Sequence, residues 1–312
     1  MSLCLVTGGA GFIGSHLVDG LLQAGHSVRV LDNLSTGDLA NLADVRPRVQ
    51  LIEGDITDVE TVGAAMRGVT WVFHEAALAS VPRSVADPAA TNRVCVDGTL
   101  NVLLAARDEK VQRVVYAASS SAYGASPSLP KRETDLPLPL SPYAVAKLAG
   151  EHYCAAFSEV YGLETVRLRY FNVFGPRQPP DSPYAAVIPR FLEAMMAGKS
   201  PIIYGNGQQS RDFTYVADIV HANLLAAKAP GVSGKVFNIA CGHRTSLLEL
   251  VDQINGLLGT KIKPIHEPVR PGDVKHSQAD ISPAQSELGY APKVRIEQGL
   301  RQCLDYFRSR VI

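Results

Sequence analysis

A short apolar run that leads through a glycine-rich turn into a helical pattern constrains the fold of this chain most. Residues 3–7 are too few for a helix and end in glycines, so they predict a buried strand. Gly9, Gly11 and Gly14 then follow at G-x-G-x-x-G spacing, and a helical pattern continues to Leu22. Such glycines permit a tight turn and close backbone approach to a pyrophosphate, which binds the N–H groups at the helix start. The stretch therefore predicts a dinucleotide-binding turn.

Asp32 follows the next apolar run and indicates which dinucleotide binds. Residues 27–31 predict a second strand, and Asp32 comes directly after them. Its separation from the glycine turn is about that of the carboxylate that binds the adenosine ribose in dinucleotide-binding folds. Because a carboxylate would repel the 2′-phosphate of NADP, Asp32 favours NAD as the cofactor.

Strand and helix patterns alternate through the first half of the chain. Further strands are predicted at 49–52, 70–73, 113–117 and 165–168, and helices at 59–66, 91–107 and 143–161. This alternation predicts an α/β fold with a doubly wound parallel (Rossmann) sheet. In such sheets ligands bind at the carboxyl ends of the strands. Candidate residues at those ends are Gly8 to Gly14, Asp32, Asp55, Ala76, Ser119 and Tyr170 to Asn172.

The pattern becomes less regular after Gly175, where several prolines interrupt the chain. Helices are predicted at 187–197, 216–228, 247–258 and 296–308, and short strands at 201–204, 236–239 and 261–265. We expect an NAD-binding Rossmann domain over residues 1–172 and a smaller C-terminal α+β substrate lobe over residues 173–312. Later segments, about 213–240, are expected to return to the first domain.

Composition and charge exclude several classes of function. Thirty Lys and Arg residues balance thirty Asp and Glu residues, so no long-range field would attract nucleic acid or a membrane surface. No apolar run approaches about 18 residues, and residues 1–8 are too short and strand-like for a signal peptide. The five cysteines form no CxxC pair, which argues against a zinc site or a disulfide framework. We therefore expect a cytoplasmic protein with reduced thiols and no metal.

Tyr143 and Lys147 form the main candidate for chemistry. Four residues apart, they lie on one face of the predicted helix, and Pro142 suits its first turn. A lysine beside a phenol stabilises the phenolate, which tyrosine needs in order to act as a base near neutral pH. By itself the pair also fits a tyrosine that packs under a surface lysine.

Motifs spread over nearly the whole chain carry a family resemblance. They are residues 7–14, Asp32-Asn33, Asp55-Ile56, Ala76-Ala77, Ser119, Tyr143-x-x-x-Lys147 and Tyr170-Phe171-Asn172. In these motifs the sequence resembles the extended short-chain dehydrogenase/reductase superfamily. Within it, residues 80–83, 170–177 and 270–277 are most similar to UDP-hexose 4-epimerases, particularly the branch that acts on UDP-N-acetylhexosamines.

The resemblance implies roles for the matching residues. Tyr143 would be the catalytic base, Lys147 would bind the nicotinamide ribose and lower the tyrosine pKa, and Ser119 would hydrogen-bond the reacting 4-oxygen. The residues implied for NAD are Gly8, Gly11, Phe12, Ile13, Gly14, Asp32, Asn33, Asp55, Ile56, Ala76, Ala77, Tyr143, Lys147 and Tyr170. Those implied for the UDP-sugar are Ser80, Arg83, Ser119, Ser120, Ser121, Tyr143, Asn172, Val187, Tyr204, Arg211, Arg270, Asp273 and Ser277.

In the reaction that the resemblance implies, Tyr143 takes the proton of the sugar 4-hydroxyl while hydride passes from C4 to NAD⁺. The 4-keto sugar then turns over, and hydride returns to its opposite face. Arg211 and Arg270 would hold the diphosphate and Asp273 the uridine ribose, so that the sugar ring alone turns. Guanidinium groups suit phosphate because they donate in pairs, although each arginine alone also fits a solvated surface charge.

Three serines bear on the choice of substrate. Related 4,6-dehydratases carry an Asp-Glu pair where this chain has Ser120 and Ser121, so the acid and base for elimination are missing. Those two serines could be turn residues or could contact the sugar. Epimerases restricted to unacetylated hexoses carry a tyrosine where this chain has Ser277. The resemblance therefore implies interconversion of UDP-GlcNAc and UDP-GalNAc, with possible activity on UDP-Glc and UDP-Gal.

Other interpretations remain open from the sequence. They are another NAD(P)-dependent nucleotide-sugar reductase, a UDP-uronic acid epimerase, and a non-catalytic cofactor-sensing regulator. Cys95 replaces an asparagine that is frequent in the family near the nicotinamide, and we expect it to be a small core thiol. The resemblance also implies a homodimer built from the helices at 91–107 and 143–161.

Overall fold

A parallel sheet forms the centre of the molecule. The computed structural model describes residues 1–179, 186–269 and 274–310. Within these residues the sheet has seven strands, and every neighbouring pair is parallel. Their order is β11 (Lys235–Ile239), β6 (Glu164–Tyr170), β5 (Arg113–Ser119), β4 (Trp71–His74), β1 (Leu3–Thr7), β2 (Ser27–Asp32) and β3 (Val49–Glu53). Helices cover both of its faces. The predicted α/β doubly wound fold is confirmed.

The strands have the following bounds: β1 Leu3–Thr7, β2 Ser27–Asp32, β3 Val49–Glu53, β4 Trp71–His74, β5 Arg113–Ser119, β6 Glu164–Tyr170, β7 Val173–Phe174, β8 Ile202–Tyr204, β9 Ser210–Arg211, β10 Thr214–Tyr215, β11 Lys235–Ile239, β12 Thr245–Ser246 and β13 Ile265–Glu267. The α-helices are α1 Phe12–Gln23, α2 Val59–Met66, α3 Val81–Ala86, α4 Pro88–Asn92, α5 Gly98–Asp108, α6 Pro142–Tyr161, α7 Val187–Met196, α8 Val216–Lys228, α9 Leu247–Leu258 and α10 Ile296–Arg310. Short 3₁₀ helices span Leu39–Arg48 and Ser120–Tyr123, and π-helical turns span Arg93–Asp97 and Ala284–Leu288.

Burial on both faces explains why the strands read as continuous apolar runs. In β1, Cys4 and Val6 enter the core on the side of α1 and α8, whereas Leu5 enters the core on the side of α2, α5 and α6. All three are fully buried. A strand buried on both faces carries apolar residues at successive positions. This arrangement leaves only the strand ends for polar side chains that bind ligands.

The chain returns to the sheet after it has entered the C-terminal region. β11 pairs in parallel with β6, and α8 packs against α1 on one face of the sheet. The strand predicted at 236–239 therefore lies in the central sheet. The division into domains at residue 172 stays a prediction.

The C-terminal region has a core of its own, in which Phe174, Phe191, Leu250 and Leu300 are buried together. Three two-stranded ladders surround this core within the described residues: β10 with β7, β12 with β9, and β13 with β8. The helices predicted in this region are observed, with small differences at their ends.

The strand predicted at 261–265 was wrong in position, because the strand forms later, at Ile265–Glu267. The Asn255 side chain of α9 explains the shift. Its Oδ1 accepts a hydrogen bond from the Ile262 backbone N–H at 2.9 Å, and its Nδ2 donates to the Ile262 carbonyl at 2.9 Å. These bonds occupy the backbone groups that a strand would pair.

The helix predicted at 91–107 begins earlier and contains a π-helical turn. Helical structure runs from Pro88 to Asp108, and the turn Arg93–Asp97 interrupts its α-helical geometry. The Thr99 hydroxyl donates to the Cys95 carbonyl at 2.8 Å and so competes for that carbonyl.

The contact between α1 and the turn after β1 leads to a prediction for stability. A Cβ on Gly14 would lie 2.1 Å from the Gly8 carbonyl oxygen, so we expect Gly14→Ala to force the helix away from the strand. The expected loss in the free energy of unfolding is about 2 kcal/mol or more, as for overpacked core positions. Denaturant unfolding measures it.

Gly63→Ala in α2 is the matched control. A Cβ at Gly63 meets no heavy atom of the described residues within 4 Å. Since Ala is favoured over Gly inside a helix by roughly 0.5–1 kcal/mol, this variant should be as stable as the parent or more so. Equal stability of Gly14→Ala and Gly63→Ala would contradict the proposed packing.

Candidate active site

The carboxyl ends of β1, β2, β4, β5 and β6 open onto one large cleft with a volume of about 1060 Å³. Most of the predicted site residues line it: Gly8, Gly11, Phe12, Ile13, Gly14, Asp32, Asn33, Asp55, Ile56, Ala76, Ala77, Ser80, Arg83, Ser119, Ser120, Ser121, Tyr143, Tyr170, Asn172, Arg211 and Ser277. The structure thus brings together segments that are up to about 270 residues apart in the chain.

Five predicted residues are not on that wall. Lys147 lies behind it, and Val187 and Tyr204 line a smaller adjoining pocket of about 260 Å³ that shares Asn172 and Arg211 with the cleft. Arg270 and Asp273 lie outside the described residues. Their predicted contacts with UDP therefore stay predictions from the resemblance.

The glycine turn has the form that a pyrophosphate site requires. Gly8 has a φ of +69°, and a Cβ on it would lie 2.8 Å from the Ala76 backbone, so only glycine fits. The Gly11 backbone N–H donates to the Gly8 carbonyl at 3.1 Å and closes the turn. Within the described residues no side chain caps the start of α1. Its first N–H groups are therefore available to an anion.

Asp32 and Asp55 fix the backbone and side chains that follow β2 and β3 at the edge of the cleft. Asp32 Oδ2 accepts from the Ala10 backbone N–H at 2.9 Å, and Oδ1 accepts from that of Leu34 at 2.9 Å. Asp32 therefore fastens the loop after β2 to the glycine turn. Asp55 accepts from Asn33 Nδ2 at 2.6 Å. Burial opposes ionisation of Asp55, but hydrogen bonds from Thr57 and Asn33 outweigh it and lower its pKa.

Tyr143 and Lys147 occupy the first two turns of α6. Ser141 caps the helix, because its hydroxyl accepts from the Ala144 backbone N–H at 3.2 Å, and Pro142 begins the first turn. Tyr143 faces the cleft. Lys147 is 3% exposed, and its Nζ lies 4.8 Å from the centre of the Tyr116 ring. Helix α6 thus presents the tyrosine and buries the lysine.

Burial is the main influence on the pKa values of Tyr143 and Lys147, and the predicted effect of Lys147 on Tyr143 stays a prediction. Burial raises the pKa of the Tyr143 hydroxyl well above its ordinary value, Cys95 and Glu75 raise it further, and hydrogen bonding by Ser119 opposes the rise. Burial likewise lowers the pKa of the Lys147 ammonium. Desolvation, which the sequence could not reveal, is therefore the largest influence on both pKa values.

The three serines form a turn at the end of β5 in which Ser119 is the acceptor. The Ser121 hydroxyl donates to Ser119 Oγ at 2.8 Å, and the Ser121 backbone N–H donates to the same oxygen at 3.2 Å. Both bonds come from Ser121, so the proton of Ser119 is left to donate elsewhere. Ser121 is thus both a turn residue and a partner of Ser119.

Several predicted substrate residues also have structural bonds. Ser80 caps α3, since its hydroxyl accepts from the Arg83 backbone N–H at 3.2 Å. Asn172 Nδ2 donates to the Asp212 carbonyl at 3.2 Å, and Ser277 is fixed by its backbone N–H, which donates to the Ser210 carbonyl at 3.0 Å. The side chain of Ser277 makes part of the cleft wall.

Sequence reasoning missed Glu75. This residue follows β4 and lines the cleft, and its Oε1 accepts from the Tyr170 hydroxyl at 2.8 Å. Asn223 Nδ2, on α8, donates to the same hydroxyl at 2.7 Å. Burial raises the pKa of Glu75 to about 7. An acidic residue at a strand end next to Ala76 was the available signal, but its partners lie far away in the chain.

The surroundings of Cys95 agree with the sequence prediction. Cys95 is buried beside Leu78 and Ala146, as predicted for a small core thiol, and all five cysteines are free. Among the described residues no cluster of histidine, cysteine or acidic side chains could hold a metal ion. In the same part of the chain no helix combines the length and apolar character needed to cross a bilayer.

Known proteins are similar to this chain in sequence. The model of the NAD dependent epimerase/dehydratase family matches residues 4–240. The UDP-glucose 4-epimerase of Mycolicibacterium smegmatis is 40% identical over 311 residues, with 98% of each chain covered. The chain belongs to the NAD-dependent epimerase/dehydratase family.

Solved members of this family superpose on the chain over nearly its full length. A UDP-N-acetylglucosamine 4-epimerase from Methanobrevibacter ruminantium, in complex with UDP-N-acetylmuramic acid, has a TM-score of 0.95 at 42% identity, with 99% of each chain covered. A UDP-glucuronic acid 4-epimerase from Bacillus cereus, in complex with UDP-glucuronic acid and NAD, has a TM-score of 0.92 at 32% identity and the same coverage. The predictions of the superfamily, of an enzyme, and of NAD as its cofactor are confirmed.

Proposed function

We propose that this chain is an NAD-dependent 4-epimerase of UDP-sugars and that its main substrate pair is UDP-GlcNAc and UDP-GalNAc. One observation carries the proposal. A single cleft is lined by the glycine turn and Asp32, by Tyr143 and Ser119, and by Arg211 and Ser277. A nucleotide cofactor and a nucleotide-sugar would meet there at the tyrosine.

In the proposed reaction the bound cofactor carries the hydride and Tyr143 carries the proton. When bound, NAD supplies an acceptor that takes hydride from C4 of the sugar and gives it back. Tyr143 accepts the 4-hydroxyl proton and returns it. Because burial disfavours the phenolate, Tyr143 needs positive charge beside it, and both Lys147 and the oxidised cofactor carry such charge.

The Ser119 hydroxyl is positioned to donate its own proton to an oxygen of the substrate. Ser121 gives two hydrogen bonds to Ser119 Oγ, so the hydroxyl proton of Ser119 is directed away from Ser121. A donor at this point would hold the 4-oxygen of the sugar near Tyr143 while its proton moves. Ser120 follows in the same 3₁₀ turn and lines the cleft, where it can contact the sugar.

The diphosphate would be held away from the ring that turns. Arg211 lines both the cleft and the adjoining pocket, where Val187 and Tyr204 also lie. Arg211 Nη1 donates to the Ser210 and Lys275 carbonyls at 3.0 and 3.3 Å, which orients its guanidinium group. A guanidinium fixed in this way suits a phosphate, and the pocket beside it suits the uridine.

Ser277 supports the acetylated substrate pair. It is a small side chain on the cleft wall, where a 2-acetamido group needs room as the sugar turns. Ser120 and Ser121 lack the acid and base that elimination of water requires, which argues against a dehydratase.

A second candidate, 4-epimerisation of a UDP-uronic acid, is favoured by Lys131. This lysine is 4% exposed, lines the cleft, and pairs through its backbone with Gln278 and Asp280, close to Ser277. Its Nζ donates to the Ser126 carbonyl. A cation at this place could pair with a sugar carboxylate, and comparison of turnover of UDP-glucuronic acid with that of UDP-GlcNAc decides between the two candidates.

We also propose that the protein is a homodimer joined through α5 and α6. Val145, Tyr153 and Val160 lie within about 80° of one another around α6 at 3.6 residues per turn. All three are exposed in the single chain, Val160 by 69%. An apolar face of this kind is covered when a second copy packs against it.

Removal of the Tyr143 hydroxyl tests the mechanism. We expect Tyr143→Phe to lower kcat by about 10²- to 10⁴-fold, the range for a lost acid–base group, while the protein stays folded and retains NAD. Tyr153→Phe on the same helix is the matched control and should keep the parent kcat. Unchanged turnover by Tyr143→Phe would show that another group is the base.

A larger side chain at position 277 tests the substrate. We expect Ser277→Tyr to lower kcat/KM for UDP-GlcNAc by roughly tenfold or more, as for an overpacked pocket. Turnover of UDP-Glc should change much less, because that sugar has no 2-acetamido group. Equal losses on both substrates, measured by NMR of the products, would count against the proposed role of Ser277.

A charged residue in the apolar face of α6 tests the dimer. We expect Val160→Glu to reduce the molar mass measured by light scattering from twice 33.4 kDa to 33.4 kDa. Ile265→Glu is the matched control, since Ile265 is exposed by 54% on β13 in the C-terminal region, outside α5 and α6. A parent protein that is monomeric, or a Val160→Glu variant that is still dimeric, would refute the interface.

A further inference from the structure

Glu75 is a carboxyl in the cleft for which the proposed mechanism has no use. It lies at the point where β4 ends, beside the turn that follows β1. Its backbone carbonyl carbon is 3.2 Å from the place that a Cβ on Gly8 would take, and its side chain lines the cleft. Its charge acts on both Tyr143 and Lys147. Glu75 therefore lies between the pyrophosphate turn and the catalytic helix.

Two side chains from distant segments fix the Glu75 carboxyl. The Tyr170 hydroxyl, at the end of β6, donates to Oε1 at 2.8 Å. Asn223 Nδ2, on α8, donates to the Tyr170 hydroxyl at 2.7 Å and to the Ile219 carbonyl at 2.9 Å. Tyr170 is 8% exposed and Asn223 is fully buried, so both donors are shielded from water. The structure holds the carboxyl in place instead of leaving it free in the cleft.

The charges around Glu75 come from few groups. Burial disfavours its carboxylate, while the Tyr170 hydroxyl and the Lys147 ammonium favour it, and the resulting pKa is about 7. Burial raises the pKa values of Tyr143 and Tyr170 and disfavours a negative charge on either ring. His74 bonds to Thr7 and Thr99, and burial lowers its pKa to about 3, so it is also neutral. Glu75 is thus the group that adds a negative charge here as the pH rises through neutrality.

We propose that Glu75 tunes the redox balance of the bound cofactor by placing an anion near its nicotinamide end. The inference rests on the proposed function, because NAD that extends from Asp32 and the glycine turn to Tyr143 passes Glu75. An anion stabilises the cationic oxidised ring and gives no comparable stabilisation to the neutral reduced ring. Glu75 therefore favours return of the hydride.

This tuning suits a reaction in which the cofactor must end as it began. Hydride carries two electrons from C4 to the ring, and the hydroxyl proton goes to Tyr143; in the second half both return to the sugar. If the keto sugar left early, the enzyme would keep a reduced cofactor and stop. Surroundings that stabilise the reduced ring would make the cofactor keep the hydride and would trap the enzyme. The Glu75 anion instead makes the reduced form give its hydride back.

The midpoint potential of the bound nicotinamide couple tests the inference directly. It is measured on purified holoenzyme without sugar, from about pH 5.5 to about pH 8.5, which brackets the pKa of Glu75 at about 7. Above neutral pH we expect Glu75→Gln to raise the potential by about 30 mV, equal to a tenfold higher ratio of reduced to oxidised cofactor. Below about pH 6 the parent carboxyl is protonated, so the two potentials should coincide.

Two further variants complete the experiment. Glu53→Gln makes the same change at the exposed end of β3 and should leave the potential unaltered. Tyr170→Phe removes the donor to Glu75 and so raises the pKa of Glu75. The potential of this variant should therefore depart from that of Glu75→Gln at a higher pH than the potential of the parent does. If Glu75→Gln does not fold, the parent and Tyr170→Phe are compared by the pH at which the slope of the midpoint potential against pH changes. The same pH in both proteins overturns the inference.

The possible outcomes separate this inference from the proposed function. Equal potentials for the parent and Glu75→Gln at every pH, or a difference that does not vary with pH, overturn the role of Glu75. A holoenzyme that shows the predicted potentials but does not interconvert UDP-sugars overturns the proposed function alone. A protein with no affinity for NAD overturns both.

Discussion

The close approach of α1 to β1 is the constraint on which the rest of the structure depends. A Cβ on Gly14 would lie 2.1 Å from the Gly8 carbonyl oxygen, and a Cβ on Gly8 would lie 2.8 Å from Ala76. The glycines therefore bring the ends of β1 and β4 and the start of α1 into van der Waals contact. In this position the unpaired N–H groups of the helix face the same cleft as Glu75 and Ala76. The cofactor turn and the catalytic region become one continuous wall.

A buried chain of hydrogen bonds stabilises that wall from behind. The Thr99 hydroxyl donates to the Cys95 carbonyl, so its oxygen is left to accept from His74 Nε2. The Ala76 backbone N–H donates to Thr7 Oγ1, and the Thr7 proton then goes to His74 Nδ1. Because burial lowers the pKa of His74 to about 3, the ring is neutral and this direction of donation is fixed. The chain connects β1, β4 and the π-helical turn that lies behind Tyr143.

Much of the fold and of the cleft could be predicted from the sequence because the signals are local. The glycine spacing, the carboxylate of Asp32 after β2, and the Tyr143–Lys147 pair each occupy one short stretch. Parallel strands then bring the stretches together, since their carboxyl ends meet at one edge of the sheet. The strand β11 shows the same principle, because its apolar residues predicted a strand and the segment that contains it was expected to return to the first domain.

The features that the sequence did not reveal depend on burial and on long-range contacts. Glu75, Tyr170 and Asn223 come from three segments, and no local pattern connects them. The pKa of Tyr143 is governed by desolvation, which a helical spacing of four residues cannot indicate. The strand near residue 265 moved because a single side chain, that of Asn255, occupied the backbone groups before it. Each of these features requires coordinates.

The central claim is that the cleft carries hydride from C4 of an acetylated UDP-sugar to a retained cofactor and back. Incubation of the purified protein with UDP-GlcNAc in D₂O, without added NAD, tests it most directly by proton NMR. The account predicts that UDP-GalNAc forms and that its C4 position keeps protium, because the hydride never exchanges with solvent. Deuterium at C4, or no UDP-GalNAc from protein that holds NAD, would contradict the account.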